Sequence, residues 1–173
     1  MTMADRGRLN LQEARRLAGE LMADYVGRVP EKIVHQASGL SNFVFRVQRK
    51  KEEFVVRIAP DAARLDAFIK ERWAVKKARQ HGIPTPEILE VGHKVIPFPY
   101  MISHKVHGQE ATYHRERLKI LEELARYAVR INAVPTNGFG SVFDWARKGK
   151  QRHATWTAFL ERELERFSNQ CTT

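Results

Sequence analysis

His35-Gln-Ala-Ser-Gly-Leu-Ser-Asn-Phe-Val-Phe-Arg-Val47 (HQASGLSNFVFRV) followed by Lys50 to Pro60 (KKEEFVVRIAP) decides the fold. The first stretch reads as a strand, a turn at Gly39 and a second strand. Phe43, Phe45 and Val47 alternate there with Val44 and Arg46, the period of two that half-buried strands show. Phe54, Val55, Val56 and Ile58 form a third strand that carries Arg57. Lys50 to Glu53 is a polar connection short enough for a hairpin, so these strands run antiparallel; a parallel pair would need a long crossover. Ile33 and Val34 begin the first strand.

Working outward, Pro60 and Asp61 open a helix over about Ala62–His81, with Leu65, Ile69 and Trp73 one turn apart and Phe68 and Val75 alongside. Gly82 stops it, and Pro84 and Pro86 prevent its continuation. Two short strands follow, near Ile88–Val91 and Tyr100–Val106. An earlier helix spans about Leu11–Tyr25, capped by Asn10 with Glu13 completing an N-x-x-E box, and ended by Gly27. After Gly108 the pattern becomes helical. His114–Ala133 has Leu118, Leu121, Leu124, Ala128 and Ile131 on one face, and a last amphipathic helix carries Trp156, Phe159, Leu160, Leu164 and Phe167. The fold class is α+β: five antiparallel strands with one inserted helix, then helices. The expected units are an N-terminal helix (1–27), a sheet lobe (28–107) and a helical segment (108–173).

With 173 residues and 43% apolar content, the chain can bury a core of its own. The net charge of +10 favours anionic partners such as nucleotides, nucleic acids or acidic surfaces. The basic residues are scattered among acidic ones, however, and no helix-turn-helix, zinc-finger or RNP pattern accompanies them, which argues against nucleic acid. A single cysteine, Cys171, excludes an intrachain disulfide and fits a reducing compartment. Met1–Asn10 carries charges but no apolar leader core, and no stretch has membrane-spanning length. A cytoplasmic protein with no membrane partner is the expectation.

Several residues could carry chemistry. Gly39 lets a turn approach phosphates through its backbone N–H groups, with Ser41 and Asn42 as added donors; one glycine is also what any hairpin turn requires. Arg57 has apolar neighbours on both sides and needs a counter-charge. Glu71, on the following helix, is the natural one, although its neighbours Lys70 and Arg72 also make it look like part of an ordinary charged helix face. His104 and His107 are three apart, but no cysteine pair or second close histidine pair makes a zinc set.

VVRIAP, GIPTPEIL, YMISHKVHG, INAVPTNGFG and ATWTAFLERELERF, in this order and spacing, resemble the aminoglycoside phosphotransferase family, antibiotic kinases of protein-kinase-like fold. The hygromycin-type branch is the most similar, having arginine where many relatives have lysine. The resemblance implies a kinase-like small lobe that binds ATP. Arg57 would hold the phosphates and Glu71 would orient it. Ser103, His104, Lys105 and Val106 would form the hinge that receives adenine through backbone groups, with Met101 and Ile102 adding apolar surface to the purine pocket. It also implies what these residues lack. Such kinases use an H-x-D-x-x-x-x-N loop and a later metal-binding aspartate. No histidine here is followed two residues later by aspartate. Phe143-Asp144-Trp145 mimics the later metal triplet but has no catalytic loop before it, so Asp144 reads as a loop residue or a local cap. The expectation is an ATP-binding lobe truncated before its chemistry and inactive alone, with no catalytic residue and no metal ligand of its own; Mg²⁺ belongs to a complete relative. The missing large lobe, or self-association through the C-terminal helices, would cover the exposed stripes. The alternative is a non-catalytic basic binding protein.

Overall fold

The computed structural model describes residues 9–37, 41–140 and 153–171, the last three of these without side-chain detail. Helix α1 (Leu11–Val26) comes first, then strands β1 (Lys32–His35), β2 (Phe43–Arg49) and β3 (Glu52–Ile58). Helix α2 (Arg64–Gln80) precedes β4 (Ile88–Gly92) and β5 (Tyr100–His104). A 3₁₀ turn (Ala111–Tyr113) leads to α3 (Arg117–Asn132), and α4 (Trp156–Cys171) ends the order. The five strands form one antiparallel sheet in the order β1-β2-β3-β5-β4. This is the expected five-stranded sheet, with α2 inserted after the third strand.

Local chemistry sets the element ends. Asn10 caps α1 by accepting from the Glu13 N–H at 2.9 Å. The Glu13 carboxylate turns forward to Arg16. Gly27, at φ 73°, supplies the left-handed residue that closes the helix. Between β2 and β3 the turn is tighter than the sequence suggests: Arg49 pairs with Glu52, and Lys50 takes φ 51°. The Asp61 carboxylate accepts from the Ala63 N–H at 2.9 Å just before α2. β5 ends at His104, two residues before the expected Val106, because the chain leaves the sheet there.

The core lies on one side of the sheet. α1 buries Ala14, Leu17, Ala18, Leu21 and Met22. They pack in one cluster with Phe45, Val47, Phe54, Val56, Ile58, Tyr100 and Ile102. Fully burying each large apolar side chain contributes on the order of 1.5–3 kcal/mol, so this layer carries most of the lobe's stability. Tyr100 is fully inside and donates to Glu90 at 2.5 Å. Burial, then that carboxylate, pushes the Tyr100 phenol well above its ordinary range. The opposite side of the sheet is covered by α2 over β4 and β5. That contact is thin: Phe68 is the one buried residue of α2, and it packs with Ala59 and Met101. Leu65, Ile69, Trp73 and Val75 remain half-buried at most.

α3 buries nothing, and its Leu118, Leu121 and Leu124 are 70%, 57% and 54% exposed. α4 likewise leaves Trp156, Leu160, Leu164 and Phe167 exposed. No helix among the described residues is long and apolar enough to cross a membrane.

Candidate functional site

Strand periodicity separates the two faces of the sheet. Phe54, Val56 and Ile58 of β3 point into the α1 core, so Val55 and Arg57 point to the α2 side. The register places Val44 and Met101 beside Arg57, and Arg46 and Ser103 beside Val55. The α2 side therefore presents an apolar floor of Val44 and Val55, with Arg57 towards one end and Arg46, 3.8 Å from Glu53, towards the other.

Arg57 reaches Glu71 of α2. Its Nη1 donates to Glu71 Oε1 at 2.6 Å, with side chains 28% and 40% exposed. The guanidinium also lies 5.2 Å from the centre of the Phe68 ring. Phe68 and Glu71 are three apart on α2, so one helical turn supplies both an apolar platform and a carboxylate. The pair is held from two sides, while part of the guanidinium still faces solvent. An arginine fixed in this way can present its remaining donors to a phosphate with little reorganisation. Periodicity marks Phe68 and Val44 only as helix and strand residues, and the fold brings them to Arg57. The signal for them was present: Val44 shares strand parity with Arg57 across the register, and Phe68 stands one turn before Glu71.

The residues expected to form the hinge, Ser103–Val106, differ in what they contact. Ser103 is buried and lies on the same side as Val55. The His104 N–H donates to the Glu87 carbonyl at 3.0 Å, and the Lys105 N–H donates to the Glu53 carbonyl at 2.9 Å. Val106 follows the end of β5, and its N–H has no backbone partner among the described residues. Its carbonyl receives the Lys105 ammonium. The His104 ring stacks on Phe54 at 5.7 Å, so this side chain serves the α1 face rather than the site. Ile102 departs from expectation. It is fully buried in the α1 core and cannot line a pocket on the other side of the sheet. Met101 is on the correct side but sits beneath Phe68.

Ser41 is exposed at the start of β2. The Asn42 side-chain oxygen is buried without a hydrogen-bond partner among the described residues. Gly39 and Asp144 lie outside the described residues.

The model of the phosphotransferase enzyme family matches residues 33–171, from β1 to the end of α4. The chain belongs to that family. No curated protein matches the sequence. Among solved structures, the aminoglycoside phosphotransferase APH(4)-Ia superposes with a TM-score of 0.68 at 20% identity, over 85% of this chain and 49% of that one. A thermostable mutant of the same enzyme, in a ternary complex with AMP-PNP and hygromycin B, gives 0.64 at 22% identity, over 80% and 46%. APH(2")-IIia, in complex with GDP and kanamycin, gives 0.56 at 16% identity, over 69% and 42%. At these identities the likeness is one of fold: the kinase-like arrangement of sheet and inserted helix. The chain spans about half the length of the solved relatives it matches.

Proposed function

We propose that this phosphotransferase-family chain is an ATP-binding lobe. The nucleotide would lie on the α2 side of the sheet. Arg57 binds its phosphates, Glu71 orients Arg57, and the purine rests between Val44 and Val55 against the hinge Ser103–Val106. At the hinge, Val106 supplies the N–H donor, because those of His104 and Lys105 are engaged within the sheet. Ser41 and Asn42, with the Gly39 turn, complete the phosphate end. The lobe boundary falls at His107–Gly108. The observation that carries this reading is the 2.6 Å Arg57–Glu71 pair, which joins the third strand to the inserted helix on the open side of the sheet.

The parent reaction is transfer of a γ-phosphate to a hydroxyl of an aminoglycoside-type acceptor. Phosphoryl transfer rests on positioning and electrostatic stabilisation. The 173 residues contain no H-x-D-x-x-x-x-N loop to position the acceptor. Among the described residues no group of three His, Cys, Asp or Glu side chains could hold a metal ion. In this reading Mg²⁺ belongs to a complete relative. These residues bind and orient the nucleotide, and catalysis requires a large lobe that they do not supply.

The test is nucleotide-dependent thermal stabilisation with ATP, ADP and a non-nucleotide polyanion such as tripolyphosphate. Stabilisation by ATP that Arg57→Ala abolishes and Arg49→Ala preserves is the expected result. Equal stabilisation by tripolyphosphate would reduce the site to a generic effect of the +10 charge.

A further inference from the structure

α2 has a second functional-looking flank. Glu71 faces β3, while Arg72, Trp73 and Lys76 turn to the opposite flank, beyond β4, the last strand of the sheet. There α2 and the Gly82–Ile88 connection enclose an open groove of about 1050 Å³. Its floor is apolar, with Ile69, Val75, Ile83 and Ile88 among the lining residues. Arg72 and Lys76, one turn apart on its rim, have no acidic partner among the described residues. Like charges at that spacing oppose each other on a helix, so the rim favours an anionic occupant. Arg79 differs, being engaged by the Thr85 carbonyl and, at 3.7 Å, by Glu87.

The same chain carries a complementary surface. α4 is capped by Thr155, the residue just before it, whose hydroxyl accepts from the Ala158 N–H at 3.1 Å. Its Trp156, Leu160, Leu164 and Phe167 recur at helical spacing and are 55%, 42%, 68% and 57% exposed. Glu163 falls within that stripe, and among the described residues it pairs with Arg166 across 3.6 Å. An apolar helix face with an embedded carboxylate matches an apolar groove with two unpaired cations on its rim. Among the described residues both surfaces are open at the same time.

We infer that α4 of a second copy of this chain docks in the groove between α2 and the start of β4, with Glu163 meeting Arg72 and Lys76. If the exchange is reciprocal, each copy covers the other's groove, and a two-fold closes the assembly without leaving a free end. The inference does not depend on the nucleotide site, whose residues lie on the other flank of α2.

A charge-swap experiment with the full chain tests it by sedimentation velocity from about 1 to 200 µM, the range in which modest interfaces of this kind associate. Wild type should form a concentration-dependent dimer. E163K alone and R72E/K76E alone should each weaken dimerisation at least tenfold. An equimolar mixture of the two variants should restore it, because both interfaces of the mixed dimer regain opposite charges. Circular dichroism confirms that each variant stays folded. Three results would overturn the inference: a wild-type monomer at every concentration, dimerisation indifferent to both charge reversals, or a mixture no better than its components. The indifferent result would move self-association to the exposed stripe of α3.

Discussion

Arg57→Ala should weaken ATP binding far more than it weakens the fold. The Arg57 side chain is 28% exposed and Glu71 is 40% exposed, so their ion pair is partly screened by water. Half-exposed pairs contribute about 1 kcal/mol or less to stability. The packing of the guanidinium on Phe68 at 5.2 Å adds about 0.5–1 kcal/mol. Folding should therefore lose roughly 1–2 kcal/mol. Binding loses more, because the phosphate contact is charge-assisted. Hydrogen bonds to charged groups are worth about 1.5–3 kcal/mol, which corresponds to roughly 10- to 150-fold in Kd. Isothermal calorimetry with ATP should show that loss for Arg57→Ala. Arg49→Ala, which removes a cation near Glu52 at the β2–β3 turn, should change Kd less than about threefold. Glu71 acts only through Arg57, so a double-mutant cycle separates its role. Glu71→Ala should cost several-fold in the wild-type background and close to nothing beside Arg57→Ala. Equal losses for Arg57→Ala and Arg49→Ala, or additive losses for Arg57 and Glu71, would refute the assignment of Arg57 to the phosphates.

Other consequences can be checked on the same protein. Leu21→Ala removes a fully buried side chain from the α1 layer and should cost about 2–5 kcal/mol in urea unfolding; Leu124→Ala, on the exposed face of α3, should cost less than about 0.5 kcal/mol. Asn10→Ala removes the α1 cap and should cost about 1 kcal/mol, visible as a lower Tm. Folding raises the Tyr100 phenol above its unfolded value of about 10. Its contribution is therefore complete below about pH 10 and is lost as pH rises towards the folded value. Tyr100→Phe should flatten that alkaline decline in unfolding measured from pH 8 to 11.5. Purified chain with ATP and Mg²⁺ should show no ADP release above background with hygromycin B or kanamycin as acceptor; sustained turnover would mean that the chemistry resides in these residues after all.

The sheet was legible because each strand carries its own period. Phe43, Phe45 and Val47 gave β2, and Phe54, Val56 and Ile58 gave β3; the polar tetrad between them allowed only a tight connection. Arg57 and Glu71 were legible as a pair because a cation between Val56 and Ile58 needs a counter-charge, and the next helix offers few carboxylates. The two sides of β5 were less legible. Met101, Ile102 and Ser103 are all buried, so their hydrophobicity does not say which side each faces. Only the register with β3 separates Ile102, in the α1 core, from Met101 and Ser103 on the α2 side. The end of β5 was missed for a related reason. Val106 has strand propensity but leaves the sheet after Lys105 makes its bond to Glu53, and side-chain identity does not encode that departure.

The two helices that cover the sheet divide stability from function. α1 anchors its face with five buried residues. α2 anchors the other with Phe68 alone, and it carries Glu71 on one flank and the basic groove on the other. Elements with few buried contacts lie at the low-stability end of a fold, where local displacement costs least. An occupant of the groove would press on the same helix that positions Glu71. If filling the groove fixes α2 in the position that holds the 2.6 Å Arg57–Glu71 pair, ATP and the groove's occupant bind cooperatively. Reciprocity then requires ATP to strengthen dimerisation by the same factor by which dimerisation strengthens ATP binding. Sedimentation with and without saturating ATP measures that factor. A dimer constant unchanged by ATP would show that the two flanks of α2 work independently.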